Sequence, residues 1–356
     1  MFTIEMLPAA HGDCLWIEYG SSRDTYRMLI DTGTMHSYVN LKRRIEACLA
    51  KGRLRIEVLV ISHIDADHIG GVLQLLHDAG RLGIEFGDIW FNGYRHLSVA
   101  TDVLGAMQGE RLTDILMTGA FAWNKVVDGD AIVVPDSGGL PEFELDGGMR
   151  VTVLSPGFDQ LRKLEPKWRQ EVERAGLRGG PALSNSDDEE FEDILGGLKI
   201  DVLAAEPFKP DTATPNGSSI ALLLETDNKA AILGADAHAS VLLDGLQRSN
   251  LGAKQKMSID VFKLPHHGSN KNVNRQLIEA VPAGKYLVST NGQQFRHPNA
   301  AALARVVKYG PRGLQLCFNY ETSFNRDWRV LANEGSSFSV LYPNDQGREE
   351  GLLVDV

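Results

Sequence analysis

Residues Leu59–Val72 read LVISHIDADHIGGV. An apolar run stops abruptly, two histidines and two aspartates fall within six positions, and two glycines follow. Residues 56–61 (IEVLVI) are short, apolar and rich in β-branched side chains, which predicts a buried strand. His63, Asp65, Asp67 and His68 are nitrogen and oxygen donors suited to zinc, manganese or iron. Four such groups in one turn repel one another or compete for water unless a cation gathers them. Helix capping does not account for the set, because one Asp suffices for a cap. Gly70 and Gly71 remove side chains where a helix must begin tightly against the cluster. The segment Ile69–Ala79 predicts that helix, with Gly80 as its stop.

An ion held at this turn needs donors from elsewhere, and two other stretches repeat the pattern. In AILGADAHA (231–239) an apolar strand ends at Gly234, and Asp236 and His238 follow. In DVFKLPHHGS (260–269) another strand ends in His266 and His267 with Gly268 behind them. A histidine pair alone is common on ordinary surfaces. Three strands that all end in donor clusters are not explained by core packing, and converging strand ends are where α/β proteins build sites.

The composition is compatible with a folded metalloprotein. The chain has 356 residues, 43% hydrophobic, with a net charge of −11. That balance argues against a nucleic-acid coat or a membrane-surface protein, which need basic faces. It does not exclude a nuclease, because a bound dication supplies local positive charge. Cys14, Cys48 and Cys317 are too few and too scattered for a disulfide framework or a cysteine-rich zinc site. The N-terminus MFTIEMLPAAHGD lacks a basic n-region and a long apolar run, and no stretch reaches the ~18 apolar residues of a membrane span. The expectation is a soluble cytoplasmic protein without membrane contact.

Strands are expected at 2–7, 14–19, 26–31, 89–92, 131–135, 151–154, 218–225, 229–234, 259–264 and 286–290, with strand-like pieces at 314–320 and 337–342. Helices are expected at 35–51, 240–247, near 273–280 and at 299–308. Residues 99–130 read as mainly helical. The stretch 157–212, with its run SNSDDEEFED (184–193), reads as a helical or partly disordered surface insertion.

Taken together, SHIDADHIGG, the later GAD with Asp236, and KLPHHGS resemble the metallo-β-lactamase fold. HGDCLWIEYG and then MLIDTG precede the cluster in the matching order. Within that superfamily the chain is similar to the metal-dependent domain of ComEC-type DNA-uptake proteins, which the NGSS at 216–219 and the HPN at 297–299 also resemble. The match runs from the first strand to about residue 300, interrupted by insertions. The resemblance implies one α/β domain over 1–356, an αββα sandwich with metals at one edge between the sheets. Insertions would lie at about 99–130 and 157–212, the latter mostly helical and acidic, with a β-rich extension at about 310–356. It further implies that Asp67, His68 and one of His266 and His267 form one metal site, that Asp236 bridges, and that His63 belongs to the other.

Two departures stand out. Asp65 occupies the place of the second histidine in the commoner HxHxDH motif. The additional histidine usually found before the bridging Asp has no clear counterpart, His77 lying in a predicted helix and His96 being unsupported. One site is therefore complete and the other thinner and richer in oxygen, which favours manganese or magnesium over zinc. The expected cofactor is a divalent metal, one or two ions.

The implied mechanism is hydrolysis by a metal-bound hydroxide, with Asp65 or Asp67 orienting the water. Either of His266 and His267 that is not a ligand would stabilise or protonate the leaving oxygen. Asp31 would accept the free N–H of a metal-bound histidine, or act as a plain turn residue before Gly33. His11 reads as a solvated loop histidine, and Lys263 as facing away from the site. The first functional reading is a phosphodiesterase or nuclease acting on DNA or RNA, with Lys271, Arg275 and Arg296 as candidate phosphate partners. The others are a lactone, thioester or small-ester hydrolase on the same fold, and a regulatory subunit with a vestigial site that works with a protein partner.

Overall fold

The computed structural model describes residues 1–21, 23–97, 107–178, 199–226, 228–249, 259–334 and 337–356. The first part of the chain forms β1 (Phe2–Met6), β2 (Leu15–Gly20), β3 (Thr25–Ile30), α1 (Tyr38–Leu49), β4 (Arg55–Val60), α2 (Ala66–Ile69), α3 (Val72–Leu82) and β5 (Glu85–Trp90). The middle forms α4 (Met107–Met117), β6 (Glu142–Leu145), β7 (Met149–Ser155), α5 (Phe158–Arg178), α6 (Ile200–Ala204) and α7 (Thr214–Gly217). Then come β8 (Ala221–Thr226), β9 (Lys229–Leu233), α8 (Ala239–Arg248), β10 (Ile259–Lys263), α9 (Arg275–Ala280), β11 (Ala283–Val288) and α10 (Ala300–Tyr309). The chain finishes with β12 (Leu314–Phe318), α11 (Arg326–Asn333), β13 (Phe338–Leu341) and β14 (Leu352–Asp355).

Two sheets result, in the orders β14-β1-β2-β3-β4-β5 and β13-β12-β11-β10-β9-β8-β7-β6. Both are mixed: β3, β4 and β5 run parallel, as do β9 through β13, while the remaining neighbours are antiparallel. Alternation along each strand decides the layers. Val58 and Val60 of β4, Leu222 and Leu224 of β8 and Val261 of β10 meet in one apolar layer between the sheets. Leu59 and Ile61 turn outward to α1, α3 and α4, and Leu223, Ile232 and Phe262 turn outward to α8, α9 and α10. The outcome is an α/β sandwich layered helix, sheet, sheet, helix. Among the described residues no helix is long and apolar enough to cross a membrane.

Several boundaries differ from expectation for identifiable reasons. The helix predicted from Ile69 is two helices, α2 and α3, and Gly80 lies within α3. The stop is Gly83, left-handed at φ 70°, whose N–H reaches Ala79 O. Residues 131–135 make no strand. Val134 pairs only as an isolated bridge to Gly157, and the amide of Asn92 satisfies both the N–H and the carbonyl of Ile132. Residues 99–130 hold one helix, α4, and a 3-10 turn at Lys125–Val127, residues 98–106 lying outside the described residues. The insertion is helical towards both ends, in α5 and α6, and the acidic run 184–193 lies outside the described residues. Residues 310–356 supply β12 and β13 to one sheet and β14 to the other.

Candidate metal centre

The C-terminal ends of β3, β4, β9, β10 and β11 open onto one edge of the sandwich. His63 follows β4, Asp65 precedes α2, and Asp67 and His68 ride on α2. The loop before β2 presses directly on that helix. A Cβ on Gly12 would fall 1.7 Å from the Asp67 carbonyl oxygen, so only glycine permits this approach. Gly70 and Gly71 act likewise, since Cβ atoms there would meet Met35 N at 2.5 Å and Thr32 O at 2.7 Å. On the other sheet, Asp236 follows β9, while His266 and His267 follow β10 in a turn with φ of 47°, 54° and, at Gly268, 81°. Non-glycine residues in this left-handed region cost ~1–2 kcal/mol each. Ala235 O accepts from His266 N (2.9 Å) and Ser269 N donates to His266 O (2.8 Å), which holds the turn in place.

Asp236 is the hub. Its Oδ2 lies 3.9 Å from His63 Nε2, 3.4 Å from His68 Nε2, 3.8 Å from His266 Nε2 and 3.6 Å from His267 Nε2. His267 Nε2 is also 3.6 Å from Asp67 Oδ2 and 3.3 Å from His68 Nε2. Four compact, buried donor groups follow among the described residues: His63, His68 and Asp236; Asp67, His68 and His267; Asp13, Asp31 and His68; and Asp13, Asp236 and His267. Asp65 stands at the rim, 3.5 Å from His63 Nε2 and 39% exposed.

The far sides of the rings are anchored. His68 Nδ1 faces Asp31 Oδ2 at 2.7 Å, and Asp31 also accepts from Ser62 N and Oγ at 2.7 Å each. His267 Nδ1 donates to Ser289 O at 2.8 Å. His266 Nδ1 faces Asn272 Oδ1 at 2.9 Å. An imidazole whose Nδ1–H is spent on an acceptor presents the Nε2 lone pair, the form a metal needs.

The residues fit a cation on three counts. His63 Nε2 and Asp236 Oδ1 are buried without any hydrogen-bond partner. Donors sharing an ion at about 2.1 Å in near-tetrahedral geometry lie about 3.4 Å apart, close to the spacings here. The electrostatics also call for positive charge. Burial pushes His68 and His267 down, but the surrounding carboxylates outweigh it, raising His68 well above the usual range and His267 to about 9. Burial pushes Asp67 and Asp236 up, and the neighbouring imidazoles reverse that, holding both below the usual carboxylate range.

Other candidates fall outside the cluster. His238 caps α8 and its Nε2 faces Ala213 O at 2.9 Å. His96 packs against Gly93 N and Gly129 O, and burial lowers it to about 4. His11 sits at the rim with its ring edge-on to Phe295. Arg275 is engaged with Glu279 (2.7 Å) and covers the Tyr309 ring, away from the centre. Lys263 corrects the expectation that it faces away. It shares the Val261 face, is fully buried, and pairs across the two sheets with Asp13. Asp13 in turn lies 3.4 Å from His267 Nδ1. Sequence parity with Val261 was the available signal. Asp211, 55 residues from His266 and 61 from Asn272, had none.

Residues 8–81 match the Metallo-beta-lactamase superfamily. The chain is a distant homologue of ComE operon protein 3 of Bacillus subtilis (strain 168), at 22% identity over 96% of this chain and 34% of that protein. It therefore spans about a third of that relative's length. A solved structure of a CmlA beta-hydroxylase mutant aligns over 99% of this chain and 54% of that one, at 11% identity and a TM-score of 0.42.

Proposed function

We propose that this metallo-β-lactamase superfamily chain is a metal-dependent phosphodiesterase, with DNA or RNA as the substrate class. The observation that carries the reading is the carboxylate share of the centre. Asp65, Asp67 and Asp236 stand with His63, His68 and His267, and Asp65 takes the place of a histidine. Such an oxygen-rich set suits manganese or magnesium, the ions most used at phosphate. A divalent ion bound there lowers the pKa of water towards ~7 and neutralises charge on phosphoryl oxygens. His63, His68, Asp67, Asp236 and His267 would hold it, His68 and His267 with ring orientation fixed by Asp31 and Ser289 O. Asp65, the most exposed carboxylate of the set, orients the attacking water from the rim.

The test is cleavage of labelled single- and double-stranded DNA and RNA by metal-stripped protein resupplied with Mn²⁺, Mg²⁺ or Zn²⁺, beside Asp67→Asn. The expected result is metal-dependent cutting that the substitution reduces at least 100-fold, on the order of losing a ligand and its positioning. Folded protein that binds metal yet cuts no phosphodiester would sink the proposal.

A further inference from the structure

His266 and His267 are neighbours in sequence but not in role. His267 belongs to the compact donor group with Asp67 and His68, whereas His266 joins none of the close donor groups among the described residues. The side chains of His63, His68 and His267 are 0%, 0% and 1% exposed, and that of His266 is 20% exposed. Among the described residues its Nε2 approaches the donors of the centre at Asp236 Oδ2, 3.8 Å away, and with its partial exposure it stands on the open side.

Its orientation is nevertheless fixed from behind. Asn272 Nδ2 is surrounded by Asp211 Oδ2 (3.0 Å), Asp236 O (3.2 Å) and Ala237 O (3.2 Å), all acceptors. The amide therefore presents Oδ1 to His266 Nδ1, which must carry the proton. Asp211 Oδ2 lies 3.4 Å from the same Nδ1 and also accepts from Asn216 Nδ2 at 2.8 Å. Asp211 is itself immobilised. Its N–H donates to Lys271 O (3.0 Å) and its Oδ1 accepts from Ala213 N (2.8 Å). Buried Arg305 braces both flanks, donating to Glu206 O (3.1 Å), Asn270 O (3.0 Å) and Val273 O (2.8 Å). So much fixed support behind a ring that is not in the ligand cluster has a purpose if the ring meets substrate.

We infer that Asp211, acting with Asn272, is a positioning residue that holds His266 with Nδ1 protonated and the Nε2 lone pair on the open side of the centre, where it accepts a hydrogen bond from the water that attacks the phosphoryl group of the substrate. The inference rests on the phosphodiesterase reading for its substrate and on geometry for its positioning. Deleting the support of a site imidazole costs 10–100-fold in activity.

The experiment uses full-length Mn²⁺-loaded protein, with Asp211→Asn, His266→Ala and the double variant. Bis(p-nitrophenyl) phosphate is the substrate, metal content is measured directly, and the histidine side chains are followed by ¹⁵N NMR in metal-free protein. Both single variants should keep the full metal complement and a KM within about twofold, and lose kcat by 10–100-fold. The double variant should be no worse than His266→Ala alone, because the two act as a unit. The His266 resonances, assigned by their absence in His266→Ala, should show the Nδ1–H form in the wild type and a mixture in Asp211→Asn. Loss of metal in His266→Ala would make His266 a ligand and overturn the inference, as would unchanged kcat in Asp211→Asn or additive losses in the double variant. If the wild type hydrolyses no phosphodiester, the functional reading fails separately. The nitrogen spectra then decide the positioning role: an unaltered His266 signature in Asp211→Asn overturns it.

Discussion

Asp13 and Lys263 form an ion pair with neither side chain open to water. Burial pushes the Asp13 carboxyl up, but the Lys263 ammonium and then His267 outweigh it, bringing it to about 2. A folded pKa below the unfolded ~3.9 means that the pair's contribution is present above that value and is lost as pH falls through about 2. Lys263→Met removes the principal partner and leaves a buried carboxylate with His267 alone beside it, so it should lower stability by ~3–5 kcal/mol at neutral pH in urea unfolding. Adding Asp13→Asn should recover part of that loss, and a double variant as unstable as the single one would show that the lysine stem, not its charge, matters. At this scale the sequence was legible where the signal was local. His63, Asp65, Asp67 and His68 sit within six positions, and Asp31 lies in a recognisable turn. Asp211 was silent because its meaning comes from Asn272 and His266, 61 and 55 residues away.

Among elements, the turn after β10 bears the sharpest constraint. Gly268 is left-handed at φ 81°, and a Cβ there would lie 2.9 Å from Pro298 Cβ. Gly268→Ala should therefore cost ~1–3 kcal/mol and, being next to His267, weaken metal affinity as well. Gly83→Ala is the matched control, with φ 70° and no atom within 4 Å of the added carbon. It should cost about 1 kcal/mol and leave metal affinity unchanged. Thermal melts and metal titration of the two variants separate backbone strain from damage to the centre, and equal metal affinities would refute the link. Strands β4, β9 and β10 were readable because each is an apolar run cut off by donors and glycine. β6 (EFEL) and β14 (LLVD) were not, since short edge strands alternate too briefly to declare a period. The helix α11 (RDWRVLAN) packs Trp328, Leu331 and Ala332 against the core, but at eight residues it is too short to declare its period.

Across the whole molecule, the arrangement of two sheets between helices followed from the order of strands and motifs, while the placement of β14 beside β1 did not. That pairing joins residues at opposite ends of the sequence, and no local window contains it. The surplus of carboxylates at the shared edge makes stability depend on pH and on metal together. Without an ion, His267 binds its proton up to about pH 9, against an unfolded value near ~6.5. That contribution is complete below ~6.5 and disappears as pH rises through about 9. The melting temperature of metal-stripped protein should therefore fall across this interval, while metal-loaded protein holds steady and releases protons on loading at pH 7.5. A flat or rising profile for the stripped protein would contradict the assignment.

Neither sheet owns the centre. His63, Asp65, Asp67 and His68 hang from one, and Asp236, His266 and His267 from the other, so the donors face each other across a seam. A half-folded chain, with one sheet formed and the other still loose, holds only part of a grip and takes up an ion poorly. An ion bound there would tie the two closed sheets together across that seam. An occupied centre would thus be a certificate of assembly, issued only after the two halves have met.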